Sequence, residues 1–252
     1  PAVRITLAEA LGEKPGTIST GRMVTAMKKL GFDMVFDTNF SADLTIMEEG
    51  YELLDRIQNG GVLPMITSCS PGWVKFCETF FPKQIPHLST CKSPQQMFGA
   101  LLKTYYAEKA KEDPANIFSV SIMPCTAKKY ECKRPEMDSS GYQDVDIVLT
   151  VQELANLIKS AGISFADLPD TDFDLPFGLG SGAGEIFGVT GGVMEAALRT
   201  VYEVLTGKTL EKLDFTAVRG FEGIKEAAID INGTIVKIAI VHGLGNARKI
   251  MN

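Results

Sequence analysis

The 252-residue chain has no basic block longer than a pair, no Cys-x-x-Cys, two histidines, one tryptophan and five cysteines. Each scarcity excludes something. With 25 Lys and Arg against 31 Asp and Glu, the formal net charge is -6, and no face of clustered cations offers itself to phosphates; nucleic acid is not an expected partner. No apolar stretch approaches the roughly 20 residues a bilayer-crossing helix requires, so no membrane partner is expected. No secretory signal peptide opens the chain, which starts at Pro1 without Met and reads as a cut inside a longer protein. An odd number of cysteines in no regular framework is not a secreted disulfide scaffold, and a reducing cytoplasm fits better. Without zinc-type Cys/His spacing, a self-contained structural zinc site is not expected. His87 and His242 stand alone and read as structural.

What is present is an ordinary globular composition, 45% hydrophobic and 22% charged, long enough for one large domain or two lobes with a real core. Strand-like runs at 3–7, 34–37, 63–67, 117–123 and 144–149 alternate with helical patterns at 20–30, 41–59, 73–81, 95–112, 151–161 and 193–205. This alternation predicts an α/β fold of two lobes with mainly parallel sheets flanked by helices, and a site in the cleft between lobes. The lobes are expected at about 1–116 and 117–252 of a single catalytic domain. Ser41 and Ser93 are expected helix caps, and Gly60-Gly61 ends the second long helix. An acidic irregular loop is read at 169–176. Asn232-Gly233 between two alternating runs predicts a β-hairpin, and 243–251 a last helix.

Two cysteines carry the chemistry. Cys69, in Thr67-Ser68-Cys69-Ser70-Pro71-Gly72-Trp73, and Cys125, in Met123-Pro124-Cys125-Thr126-Ala127-Lys128-Lys129, each follow an apolar run and sit where α/β folds build sites. Buried cysteines are often only small hydrophobes. A helix start at Pro71, however, favours thiolate at Cys69. Nucleophile, metal ligand and proton carrier all stay open for it. Lys128 is either a solvated turn residue or a partner for an anion near Cys125. Cys77, Cys91 and Cys132 have weaker claims: a core position, a loop and a charged stretch. Glu49 and Glu52, three apart, share a helix face; such faces are usually only solvated, but two carboxylates in line with a hydroxyl and a thiol would make a proton path. The run Gly178 to Gly184 matches neither a dinucleotide fingerprint nor a Walker A loop, and reads instead as close backbone approach to another element or to a bulky inorganic ligand.

Taken together, the two cysteine motifs, with Phe187-Gly188-Val189-Thr190-Gly191-Gly192-Val193-Met194-Glu195-Ala196-Ala197-Leu198-Arg199 and Val218-Arg219-Gly220, resemble the catalytic domain of the FeFe (iron-only) hydrogenases over the whole chain. The resemblance implies a 4Fe–4S cubane joined to a di-iron subcluster, together called the H-cluster, in an anaerobe's hydrogen metabolism. The implied partners are H2 and protons, ferredoxin or NAD(P)-linked electron-transfer subunits, and hydrogenase maturation proteins. On matching positions, Cys125 would ligate the cubane and Cys69 would carry protons. Glu49, Glu52 and Ser89 would continue the path, with Arg56 at its exit. Pro1, Ala2, Ser93, Gln95, Met123, Pro124, Lys128 and Phe187 would surround the di-iron unit, Lys128 bonding a cyanide ligand.

Three departures from the family pattern stand out. Ser70 occupies the position of a usual second cysteine ligand, and a serine oxygen replaces a thiolate on iron poorly. The family's Cys-x3-Cys motif does not occur in 241–252, and no ferredoxin-like segment precedes Pro1. With one assured cubane cysteine, the chain taken alone is expected to be metal-free and inactive. The alternatives are a hydrogenase-like iron–sulfur assembly protein making no H2, and a hydrogen sensor. Relatives of the first kind usually lack the relay residues present here, and Cys69 argues against the second.

Overall fold

The computed structural model describes residues 2–210, 216–217, 222–231 and 233–252. Pro1, Asn232 and Val218-Arg219-Gly220 of the sequence reading lie outside them. In chain order the elements are α1 (Val3–Ala10), α2 (Thr20–Lys29), α3 (Asn39–Gln58), α4 (Pro71–Phe80), α5 (Pro94–Leu101), α6 (Ala107–Ala110), β1 (Val120–Met123), α7 (Ala127–Glu131), β2 (Ile147–Thr150), α8 (Val151–Ser160), α9 (Gly182–Ile186), α10 (Gly192–Thr206), β3 (Thr216–Ala217), β4 (Ile224–Ile231), β5 (Thr234–Val241) and α11 (Leu244–Met251). A π turn, Leu102–Tyr106, joins α5 to α6, so the expected helix over 95–112 is one rod with a wide turn inside it.

The chain divides into two compact units, neither continuous in sequence: residues 1–41 with 94–181, and 42–93 with 182–252. The break expected near 116/117 falls inside the first.

In the first unit β1 and β2 pair in parallel, Val120 opposite Ile147 through Met123 opposite Thr150. Helix α8 follows β2 at once. Its Val151, Leu154, Ala155 and Ile158 pack with Leu7 of α1 and with Met23, Val24 and Met27 of α2. The 3.6-residue spacing of those apolar positions makes one buried stripe. Two expected strands are absent here. Residues 3–7 are helical because Val3, Leu7, Ala10 and Leu11 fall on one face against that core; β-branched Val3 and Ile5 mimic a strand. Residues 34–37 join no sheet: the Asp174 carboxylate accepts from the Val35 amide at 2.7 Å, and the Asp174 amide donates to the Val35 carbonyl at 2.9 Å. Gly180 lies against the start of α3, where an added Cβ would stand 3.2 Å from the Phe40 amide nitrogen, which accounts for a glycine there as close approach of backbone to a neighbouring element.

In the second unit Ile46 and Leu54 of α3 pack on α10 through Ala196, Ala197, Leu198 and Val201, and the β4–β5 hairpin covers α10 with Ile229 and Ile238. Gly50 permits the approach, since a Cβ there would lie 3.2 Å from Val201 Cγ2. The hairpin forms as expected, but its three-stranded sheet is antiparallel. Parallel pairing among the described residues is confined to β1–β2 and one bridge, Ile66 to Leu88. The strand expected over 63–67 reduces to that bridge. Pro64 has no amide to donate, and the Arg56 guanidinium takes the Val62 carbonyl at 3.1 Å. Ser41 lies inside α3 and donates to the Thr38 carbonyl at 2.9 Å, so it is not the cap.

Candidate active site

Helix α3 has two working faces. Ile46, Gly50 and Leu54 anchor it to α10. Glu49, Glu52 and Arg56, spaced three and four apart, turn the other way, toward the segments around 62–69 and 86–91. Those segments are held side by side by the parallel bridge: the Ile66 amide donates to the His87 carbonyl at 2.8 Å and the Ser89 amide to the Ile66 carbonyl at 2.7 Å. Arg56 fastens both to the helix, its Nη1 donating to the carbonyls of Val62 (3.1 Å), Pro86 (3.4 Å) and His87 (3.3 Å), and its Nη2 to that of Leu88 at 2.8 Å. Arg56 is thus buried and structural as well as charged.

The carboxylates differ sharply. Glu52 accepts from Arg56 Nη2 at 2.6 Å and Nε at 3.1 Å, from Ser89 Oγ at 2.7 Å, from the Thr90 amide at 3.0 Å and from Cys91 Sγ at 3.6 Å. Burial raises Glu52, but Ser89, the Thr90 amide and Arg56 outweigh it, and its carboxyl is held below the usual range. Glu49 is 1% exposed and neither of its oxygens closes a hydrogen bond. Burial pushes it up to about 7. The Ser89 hydroxyl and the Ser68 amide lie toward it and oppose the shift, without reaching hydrogen-bond geometry, and the neighbouring Glu52 charge adds to it. An orphaned carboxyl that holds or releases a proton at neutral pH, beside a buried hydroxyl and a fixed anion, is what proton transfer needs.

Cys69 is half-buried and follows Ser68, whose hydroxyl donates to the Cys91 carbonyl at 3.0 Å. Ser70 is exposed at the start of α4 and makes no capping bond. Ser93 is buried, and Phe187 packs against Ile46, Ala196 and Ala197. All of these belong to the second unit. Cys91 belongs with them, and sequence spacing missed it: nothing local shows that a loop thiol will meet a helix carboxylate.

In the first unit, β1 delivers Met123, Pro124 and an exposed Cys125 ahead of α7. Met123 packs against Cys132, Val145 and Val148. Gln95 ties the strand to α7: Ser121 Oγ donates to its Oε1 at 2.9 Å, and its Nε2 donates to the Lys128 carbonyl and to Glu131 Oε2, both at 3.3 Å. Lys128 donates to the same Glu131 oxygen at 2.9 Å, a part-buried pairing that its place in the sequence does not foretell. Ala2 lies at the head of α1, its carbonyl accepting from the Ile5 and Thr6 amides.

The family model for the iron only hydrogenase large subunit, C-terminal domain, matches residues 1–252. The chain belongs to that family. It is 56% identical to the NADP-reducing hydrogenase subunit HndD of Solidesulfovibrio fructosivorans over 100% of this chain and 44% of that protein. It is 54% identical to the periplasmic Fe hydrogenase large subunit of Nitratidesulfovibrio vulgaris over 99% of this chain and 60% of that one. The chain therefore spans about half the length of the curated relatives it matches. Among solved structures, an apo FeFe-hydrogenase HydA1 variant from Chlamydomonas reinhardtii superposes with a TM-score of 0.88 at 43% identity, over 100% of this chain and 71% of that one. A cytosolic Fe–S cluster assembly factor of Xenopus tropicalis is more distant, 30% identical over 92% of this chain and 51% of its own. The α/β fold is that of the iron-only hydrogenase domain.

The donor set of the chain tests the cluster such a domain carries. Cys125 fits, as an exposed thiol at a strand end. Ser70 does not, because its hard oxygen is a poor match for iron–sulfur chemistry. Among the described residues no group of three or more Cys, His, Asp and Glu side chains is arranged to hold a metal ion. These residues by themselves do not make a four-thiolate site.

Proposed function

We propose that the protein carrying this chain is an iron-only hydrogenase that interconverts H2 with protons and electrons, and that 49–91 is its proton path. The observation that carries this is Glu49, buried, unpartnered and titrating at about 7, placed between the Ser68 amide and the Ser89–Glu52–Arg56 chain. A proton on Glu49 passes to the Ser89 oxygen as the Ser89 proton crosses its hydrogen bond to Glu52 Oε2, the two oxygens lying 2.7 Å apart. Arg56 holds Glu52 anionic between transfers. Cys69, next to Ser68, is assigned the inner end of the path on the family resemblance, and the 49–52–89 arrangement supports that assignment. Glu49 and Ser89, both buried, keep bulk water from short-circuiting the transfer.

Ser93, Gln95, Met123, Pro124, Lys128, Phe187 and the Pro1-Ala2 backbone are proposed as the lining around the di-iron group, with Cys125 a thiolate ligand of its cubane. The 252 residues alone are proposed not to retain the cluster. Iron and acid-labile sulfide analysis after anaerobic reconstitution tests this, and stoichiometric iron refutes it. As electron partner we propose ferredoxin or NAD(P)-linked subunits; the name of the HndD relative supports the second. Five cysteines, none in a disulfide, support a cytoplasmic location, although one relative is named periplasmic. No helix among the described residues is long and apolar enough to cross a membrane.

The deciding assay is H2 evolution by the full-length protein after maturation with its two-iron cofactor. We expect turnover, lost by more than a hundredfold in Glu49→Ala. Fully metallated protein that makes no H2 overturns the reading in favour of cluster assembly, the role named for the 30% identical relatives.

A further inference from the structure

We infer that Cys91 is a positioning residue of this path, its thiol and amide together fixing Glu52 and Ser89 so that the Ser89 proton points at Glu52. Its function rests on the hydrogenase reading; its geometry does not. Three bonds place Cys91. Its Sγ donates to Glu52 Oε2 at 3.6 Å, its amide donates to Ser89 Oγ at 3.1 Å, and its carbonyl accepts from Ser68 Oγ at 3.0 Å. It therefore touches the hydroxyl and the outer carboxylate of the relay, and the loop that carries Cys69.

A hydroxyl has one proton to give and two lone pairs. The Ser89 proton goes to Glu52 Oε2 at 2.7 Å, and the Cys91 amide fills one lone pair. A single acceptor position is left, and the group with a proton to offer it is the unpartnered Glu49. Transfer through Ser89 is thereby given one geometry, in from Glu49 and out to Glu52.

A thiol is suited to this task. A thiol is a weak, long-reaching donor, and it can yield when Glu52 takes up a proton. The charged groups around it are Glu49, Glu52 and, on the far oxygen of Glu52, Arg56. Burial pushes the Cys91 thiol up to about 12, and the two carboxylates add to this, so it stays S–H throughout the working pH range. Cys91 is a fixed donor, unlike the proton carrier assigned at Cys69.

Two measurements on the full-length protein test the inference. The first is the infrared S–H stretch of Cys91, identified as the band lost in Cys91→Ala. It should lie at lower frequency in the wild type than in Glu52→Gln, because a charged acceptor weakens the S–H bond. A band that Glu52→Gln leaves in place overturns the contact, whether or not the protein evolves H2. The second is the pH profile of turnover. Glu52 must be ionised to accept, so activity falls at acid pH. Removing a donor to its ionised form in Cys91→Ala should raise that acid limb by about half a pH unit, the size of one weak hydrogen bond, and Cys91→Ser should restore it. A limb unmoved in Cys91→Ala, or moved as far in Cys91→Ser, overturns the positioning role. A wild type without H2 turnover would overturn the hydrogenase reading and with it the function assigned to Cys91, while the infrared result still decides the contact.

Discussion

Glu49 is a carboxyl kept where a carboxylate is disfavoured, and the fold bears the cost. Its pKa is about 7 in the folded chain and near 4.5 in the unfolded one. Between those values the native state binds more protons than the unfolded state, so stability falls as pH rises from about 4.5 to 7 and then levels off. At pH 8 the full cost is on the order of 3 kcal/mol, from about 1.36 kcal/mol per unit. Glu49→Gln keeps the shape and removes the charge. Denaturant unfolding of the apo chain should show the variant more stable at pH 8, by up to about that amount, and nearly equal at pH 4.5. Equal stability of the two proteins at pH 8 would mean that Glu49 is solvated after all. The shared face of Glu49 and Glu52 was legible from their spacing of three. The contrast between them was not, because it comes from Ser89, Thr90 and Arg56, and from packing of α3 on α10. Cys91 was illegible for the same reason: its partner is 39 positions away.

Elements with local signals were read well, and those defined by long-range partners were not. Helix α8 begins at a capping box: Thr150 Oγ1 accepts from the Glu153 amide at 3.2 Å, and the Glu153 carboxylate accepts from the Thr150 amide at 2.7 Å. The helix was legible from its apolar spacing over 151–161, although the Thr-x-x-Glu start was not singled out. The Gly207 stop of α10, where φ is 66°, is a local signal of the same kind. Residues 3–7, 34–37 and 63–67 have strand composition, yet their backbone partners are chosen elsewhere: a helical core, the Asp174 loop and the Arg56 guanidinium. Capping matters beyond α8 because this helix carries Leu154, Ala155 and Ile158 into the core of the first unit. Thr150→Ala should cost about 1 kcal/mol, read as a lower denaturant midpoint with unchanged slope. A loss below about 0.3 kcal/mol would show that β2 alone sets the helix start.

At the scale of the molecule, the chain forms two compact units, each assembled from two separate stretches of sequence. The chain crosses between units at 41/42, 93/94 and 181/182, and no composition shift marks these points. The candidate residues sort by unit accordingly: those of the proposed proton path in the second, and Cys125 with the Gln95–Lys128–Glu131 cluster in the first. Ser70 is where the whole assembly can be tested by one change. It is exposed at the head of the ten-residue helix α4, with φ -98° and ψ 108°, and its hydroxyl makes no capping bond. A cysteine there removes no hydrogen-bonded cap, so stability should stay within about 0.5 kcal/mol. The helix N-terminus would favour its thiolate, the form iron requires. If Ser70 stands at a cluster-ligand position, Ser70→Cys in the full-length protein should raise iron and acid-labile sulfide retained after anaerobic reconstitution, together with the cluster's visible absorption. Unchanged iron in a folded Ser70→Cys protein would show that the position does not face the cluster, and a wild type already fully loaded would show that serine suffices there.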